Sequence, residues 1–274
     1  MTKFNYQQKL WGGSEIRLYP TFLAYLRLKY CLDSLKEVKG KVIDIGCGAG
    51  GFIKAVKHYR SDLKVYGVDI SQAAINWAKK ENQGVKFVSG DLYKLAFKNN
   101  YFDAVVMCDT LEHLKKPELA LKEVNRILKK NGIFYSFTPL EGGLSAINYW
   151  LAKIGWNPKK ELAGHIQQYS WLDLKKMFDD NGFKIVKKRF GVYLFEQLVD
   201  ISYFIFLSLT GKRIKTGLEH HLKDRKLLKY LKDLIAVLCN LESWFFSFFL
   251  GTTLSAAKPQ LSWGAGVHLK AKKQ

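Results

Sequence analysis

The residues best suited to chemistry in this 274-residue chain are acids and glycines at short, fixed spacings. Asp44 is followed by Gly46, Gly48 and Gly50. Glycines at that spacing let the backbone turn tightly and press against a ligand where any Cβ would clash. A helical pattern starts at Phe52, so the turn feeds a helix N-terminus whose free N–H groups favour a polar or anionic ligand. This is a nucleotide-type loop. Asp69 closes a later apolar run, where a carboxylate can accept two hydrogen bonds from ribose hydroxyls. Asp91 follows a third run, and Asp109, Glu112 and His113 follow a fourth. His113, and His165 further on, could take a proton from a substrate hydroxyl, because an unperturbed imidazole titrates near neutral pH.

Such side chains meet only if the runs before them are neighbouring strands. Lys41–Ile45, Lys64–Asp69, Val85–Ser89 and Phe102–Cys108 are short, apolar and separated by amphipathic stretches. That alternation signals β-α units and a parallel sheet, which binds ligands at the carboxyl ends of its strands. Ser71 is placed to cap a helix running through Lys80. A further helix is expected from Pro117 to Lys130, with Asn131-Gly132 as its C-cap before a fifth strand, Ile133 to Thr138. At the front of the chain, Leu18 to Val38 is apolar at helical spacing with Pro20 in the first turn.

The glycines alone leave the nucleotide open, since Gly46, Gly48 and Gly51 also fit G-x-G-x-x-G, the dinucleotide fingerprint. Asp44 shifts the balance, because a carboxylate before the first glycine suits a cationic ligand end. Here the chain resembles the class I S-adenosylmethionine (SAM) methyltransferases, whose first motif is acid-x-G-x-G-x-G. Asp44, Gly46, Gly48 and Gly50 match it position by position. Phe102-Asp103, Glu112-His113-Leu114, Pro117, Leu121, Glu123, Arg126, Leu128-Lys129 and Gly132 look like the type-11 and ubiquinone-biosynthesis branch. The resemblance implies a Rossmann-like seven-stranded sheet with its last strand antiparallel, an N-terminal helix and an inserted helical cap. It implies SAM as cofactor, held by Asp44, Gly46, Cys47, Gly48, Gly50, Asp69, Ile70, Asp91, Leu92 and Asp109, with Asp91 on the adenine amine. In the quinone enzymes an acid-x-x-Glu-His cluster is associated with a divalent metal, which Asp109, Glu112 and His113 would match here. The other reading of His113 is a loop held by hydrogen bonds, and the other reading of Asp91 is a cap on the next helix.

The second half has its own pattern. Leu144 to Trp156 reads as an apolar helix over the active-site mouth, a substrate lid. Gly164-His165, Tyr169-Ser170, Leu174 and Gly182-Phe183 again resemble the family, with His165 on the substrate side and Ser170–Asp173 as a capping box. Two apolar segments, Val192 to Leu209 and Leu234 to Leu254, bracket a basic one holding Lys212, Arg213, Lys223 and Lys232. The second nears the ~20 residues that span a bilayer. Asn240 and Glu242 inside it, and strands that must pair on both sides of the insertion, favour an in-plane or re-entrant module with its basic helix on anionic headgroups instead. A soluble helical cap is the other reading. The expected division is 1–40 as N-terminal cap, 41–191 as SAM-binding core, 192–258 as inserted module and 259–274 as the final strand, Trp263 to Lys272. The family resemblance further implies that Tyr6 to Trp11 would close over the cofactor.

Composition bounds the partners. With 44 basic and 24 acidic residues, the net charge of +20 implies an anionic neighbour. The four cysteines lie far apart, with no C-x-x-C, which suits a reduced, cytoplasmic setting; the inserted apolar and basic module would add peripheral contact with the inner membrane face. The start lacks an apolar signal core. The function expected is methyl transfer from SAM to a small-molecule or lipid-linked acceptor. The alternatives are an RNA (tRNA) methyltransferase, although nucleic acid is disfavoured by the absence of an Asn-Pro-Pro-Tyr-type motif, and a non-enzymatic membrane-binding protein on the same fold.

Overall fold

The computed structural model describes residues 12–13, 16–19, 24–210, 230, 233–242, 244–246 and 264–274. Apolar runs without polar alternation need cover on both faces, and a sandwiched sheet provides it. β1 (Lys41–Ile45), β2 (Lys64–Asp69), β3 (Val85–Ser89), β4 (Phe102–Cys108), β5 (Leu128–Pro139), β6 (Phe183–Gly191) and β7 (Gly266–Lys273) form one sheet. Their order is β3-β2-β1-β4-β5-β7-β6. β1 to β5 pair in parallel, and β7 runs antiparallel to both β5 and β6. This is the Rossmann-like arrangement with an antiparallel last strand. The order reverses between β1 and β4, so the loops after these two strands open a crevice at the switch point, where such sheets take ligands.

Alternate residues of each strand feed two cores. Ile43, Ile45, Val105 and Met107 pack with Leu121, Val124, Leu174 and Phe178, beneath α4 (Pro117–Ile127) and α6 (Trp171–Asp180). Val42, Ala104, Val106 and Tyr135 pack on the other face, beneath α1 (Tyr25–Leu35), α2 (Gly51–Tyr59) and α3 (Gln72–Glu81). The expected caps form. The Ser71 hydroxyl accepts from the Ala74 amide, and Ser170 and Asp173 make a reciprocal capping box. α5 (Ile147–Lys153) and α7 (Leu194–Thr210) lie beyond the core, and residues 233–242 and 244–246 are helical.

Three helices differ from their sequence patterns. α1 begins at Tyr25, not Leu18, because the Leu18 amide donates to the Tyr59 hydroxyl and ties that segment to α2. It ends at Leu35, where the Arg60 guanidinium collects the carbonyls of Leu35 and Val38. α4 stops at Ile127, since fully buried Leu128 pairs with Phe102 across a register irregularity and starts β5 early. Asn131 still takes the left-handed conformation, at φ 61°, but inside that strand. α5 is seven residues long, shorter than the expected lid helix. The Gln197 side chain of α7 accepts from the Ile147 amide and fixes its start, and Gly155 at φ 89° follows its end. Among the described residues no helix is long and apolar enough to cross a membrane. Tyr6 to Trp11, Pro20, the basic residues from Lys212 to Lys232, Phe248, Phe249 and Trp263 lie outside the described residues.

Candidate active site

The glycine loop is fixed mainly by backbone. The amides of Gly46 and Cys47 both donate to the Val68 carbonyl, at 2.8 and 3.1 Å. The Gly48 amide donates to one carboxylate oxygen of Asp69 and the Ser71 amide to the other, each at 2.8 Å. The loop after β1 is thereby locked to the end of β2. Gly46 has φ 78°, and a Cβ there would meet Thr110 Oγ1 at 2.5 Å. Gly50 has φ 82°, and its Cβ would meet the Phe87 ring at 2.6 Å. Both positions therefore exclude side chains on conformation and on space. Asp44 is buried, and its carboxyl is held well above the usual range by burial and then by the charge of Asp69. Burial also raises Asp69. Two acids in this state favour a positively charged ligand group beside them. From the front of the chain, the Gly12 carbonyl accepts from the Gly51 amide at 2.8 Å, so residues 12–13 lie on the loop.

The loop after β4 is fixed by side chains. Asp109 has φ 47°, and its carboxylate pairs with Arg27 of α1. The Arg27 guanidinium lies 4.2 Å from the centre of the Phe137 ring. Burial opposes the Arg27 charge, and Asp109 together with the smaller contributions of Cys108, Tyr135 and Glu196 more than offsets it. A turn of 3-10 helix, Leu111–His113, then brings Glu112 and His113 inward. His113 Nδ1 lies 3.1 Å from the Gly164 carbonyl, and its ring meets that of His165 edge-on at 4.8 Å. His165 Nδ1 is 2.8 Å from Glu141 Oε1. Lys159 approaches the same oxygen at 3.9 Å while pairing with Asp200 of α7.

Burial sets the electrostatics of this cluster. It pushes His113 down to about 4, helped by His165, so the ring is neutral at pH 7. It would raise Glu141, but the hydrogen bond and charge of His165, with Lys159, hold that carboxyl below its usual range. Glu112 is held well above the usual range by burial and then by Asp109. Both Glu112 carboxylate oxygens are buried without a hydrogen-bond partner. Glu112, His113 and His165 each offer an atom within 4.8 Å of the others, a set able to hold a cation. The carboxylate behind His165 is the usual support for a metal-binding imidazole.

The sequence-predicted residues divide accordingly. Asp44, Gly46, Cys47, Gly48, Gly50 and Asp69 come together around one loop. Cys47 contributes backbone only, because its Sγ packs towards Gly67. Ile70 is exposed beside Asp69, Leu92 is in the core, and Asp91 is exposed with its carboxylate accepting from the Tyr93 amide. The expected Asp109–Glu112–His113 grouping is not the one assembled: Arg27 draws Asp109 away, and His165 joins Glu112 and His113 instead. Sequence reasoning misses Arg27, Lys159 and the part played by Glu141. Only Glu141 carries a signal, as an acid just past the carboxyl end of β5.

Residues 43–136 match the family model Methyltransf_11, described as a methyltransferase domain. The chain is 36% identical over 100 residues to sterol 24-C-methyltransferase ERG6B of Gibberella zeae, covering 34% of this chain and 26% of that protein. It is 28% identical over 169 residues to demethylmenaquinone methyltransferase of Staphylococcus aureus, covering 54% and 70%. The chain thus spans about a quarter of the sterol enzyme's length. Among solved structures, a SAM-dependent methyltransferase of Thermotoga maritima, described as a possible histamine N-methyltransferase, aligns with TM-score 0.57 at 20% identity over 94% of this chain and 93% of its own. The cyclase SpnF aligns equally well, with TM-score 0.57 at 15% identity over 98% and 87%. These likenesses show the fold.

Proposed function

We propose that this chain, which carries a class I SAM-dependent methyltransferase domain at residues 43–136, transfers the methyl group of SAM to a small apolar, lipid-like acceptor at a membrane surface. The observation that carries the reading is the pairing across the switch point of a glycine loop beside two pKa-raised acids with a buried imidazole cluster. In this reading Asp44 faces the cationic methionine end of SAM, Asp69 holds the ribose, and the loop from Gly46 to Gly50 takes the rest of the ligand against backbone. Asp91 would reach the adenine amine by giving up its bond to the Tyr93 amide.

The sulfonium is already activated, so the protein has to align the acceptor in line with the methyl group and exclude water. His165 is the better-placed base. Glu141 fixes its Nδ1 and leaves Nε2 as the proton-accepting atom, the logic of an oriented imidazole. His113, neutral at pH 7, packs its ring edge-on against that of His165. A divalent cation, if the enzyme uses one, would be held by Glu112, His113 and His165 and would neutralise charge on an acceptor oxygen. The sterol and menaquinone enzymes named above support an apolar acceptor, as do the exposed apolar side chains of the inserted module, Leu198, Ile205, Phe206, Trp244 and Phe245. The test has two steps. Calorimetry should show SAM binding and no NAD binding, and the reverse result overturns the reading. Lipid extracts incubated with the protein and methyl-labelled SAM should then gain a labelled species absent without the protein.

A further inference from the structure

The edge of the sheet farthest from the glycine loop carries a ladder of cations. β6 and β7 pair antiparallel with Lys184 opposite Lys272, Lys187 opposite Lys270 and Arg189 opposite His268. Paired residues share a face, so all six side chains lie on the α1 side of the sheet. The register shifts between Ile185 and Lys187, which leaves Val186 unpaired. Without that extra residue, Val186 and Lys188 would take the places of Lys187 and Arg189. A bulge that re-aims side chains in this way is a built feature of a strand. Here it collects cations on one face. Lys188, on the other face, instead lies over the Trp171 ring at 4.8 Å.

Like charges directly opposite one another in a sheet are destabilising. Lys184, Lys187 and Lys272 are exposed, and Lys270 and Arg189 are half-buried. Burial, then Lys272 and Lys187, lower the Lys270 ammonium below its usual range, against the partial relief of Glu37, just past the end of α1, and of Asp33 on α1. Farther up the ladder Arg189 lies over the Tyr30 ring at 4.3 Å, and Tyr30 packs edge-on against His268. Thus α1 covers the upper rung and leaves the lower two to solvent.

We propose that this lysine ladder is a docking surface for the anionic headgroups of a phospholipid bilayer. The chain leaves β6 at Gly191 and enters α7 at Leu194, and His268 of the upper rung shares a cleft with Glu196, Cys239 and Asn240, so the exposed lysines lie one covered rung away from, and on the same side of the sheet as, the module that exposes Leu194, Leu198, Ile205, Phe206 and Leu209. Cations and apolar side chains in succession suit a bilayer, whose surface offers phosphate above and acyl chain beneath. A polyanion in water would engage the cations alone. The inference deepens the membrane-surface part of the proposed function and rests on it. It adds a second, charged contact at a different place in the fold.

The experiment uses the full chain and sedimentation with vesicles of pure phosphatidylcholine or of phosphatidylcholine with roughly one-third phosphatidylglycerol, which supplies the negative surface that attracts basic side chains. Wild type should bind the anionic vesicles and lose binding as salt rises. Lys184→Gln/Lys187→Gln/Lys272→Gln should bind at least about tenfold more weakly, each lysine near an anionic surface being worth several-fold. Lys79→Gln/Lys80→Gln/Lys86→Gln, with equal charge removed near the opposite edge, should lose less than about threefold, since screening confines the attraction to cations at the surface. Lys272→Glu should melt at or above wild type while binding vesicles more weakly, which separates docking from folding. Equal vesicle binding by wild type and the ladder triple overturns the inference. If Phe245→Ser/Phe246→Ser loses binding in that case, the membrane reading stands without the ladder; if no variant matters, both fall. Ladder-dependent binding to single-stranded RNA with no vesicle binding would replace the bilayer with nucleic acid.

Discussion

The two sides of the crevice are built by different means. On the β1–β2 side, position is set by main-chain hydrogen bonds: Gly46, Cys47 and Gly48 each donate a backbone N–H towards the end of β2. On the β4–β5 side, position is set by side chains from distant parts of the chain. Arg27 holds Asp109, Glu141 holds His165, and Lys159 bridges Glu141 towards Asp200. The first construction needs glycine at fixed spacing and tolerates little else. The second needs only complementary partners, which can change together. A site built this way can keep one half constant while the other half changes.

That contrast predicts where substitutions act. The largest effect is expected on the side-chain-built half. His165→Ala should lower turnover by roughly 10²–10⁴ with SAM affinity kept, if His165 is the base. His113→Ala is judged by the same assay, and losses below tenfold for both would leave alignment alone as the mechanism. On the backbone-built half the effect should appear in binding. Asp69→Ala should weaken SAM binding by about 1.5–3 kcal/mol through lost charged hydrogen bonds, measured by calorimetry. Turnover at saturating SAM should change little. A variant that altered both equally would break the division. Gly50→Ala tests the backbone itself. A left-handed conformation at a non-glycine residue, with the Cβ 2.6 Å from the Phe87 ring, should cost on the order of 2 kcal/mol of stability, read by urea unfolding.

The same contrast governs how much the sequence discloses. The five parallel strands are legible as apolar runs, because their burial depends on local composition, whereas β6 and β7 carry lysines on one face and are legible chiefly through the family resemblance; the glycine loop is legible because its requirement is a backbone conformation. The limits of α1, α4 and α5 are not. Each is decided by a distant group: the Tyr59 hydroxyl, the Phe102 pairing and the Gln197 side chain. In the site, His113 and His165 stand out by residue type, but nothing local tells that their rings meet. Arg27 lies 82 positions from Asp109 and reads as one more cation on an apolar helix. Asp109 belongs to the acid-x-x-Glu-His pattern, yet the third partner of that cluster comes from His165, supplied by a loop that no spacing rule connects to it.

The smallest effect should come from Glu112, and its sign is the informative part. Its carboxyl is buried without a hydrogen-bond partner and is held above the ordinary value of 4.5. A carboxyl raised in the folded state favours folding fully only below its unfolded value, and that contribution is lost as pH rises towards its folded one. Ionised Glu112 therefore opposes folding as pH increases from about 4.5 upward. Glu112→Gln keeps the shape and removes the charge. It should leave stability nearly unchanged at pH 4 and raise it by about 1 kcal/mol at pH 8, the lower end of what replacing a buried charge gives. Urea unfolding of both proteins at the two pH values measures the difference. Methyl transfer by the same variant supplies the contrast. If Glu112 faces the acceptor or a cation, activity falls while stability rises, which is the behaviour of a group kept at a cost to folding. A variant that lost stability at pH 8 would place a partner on Glu112 and remove it from the candidate site.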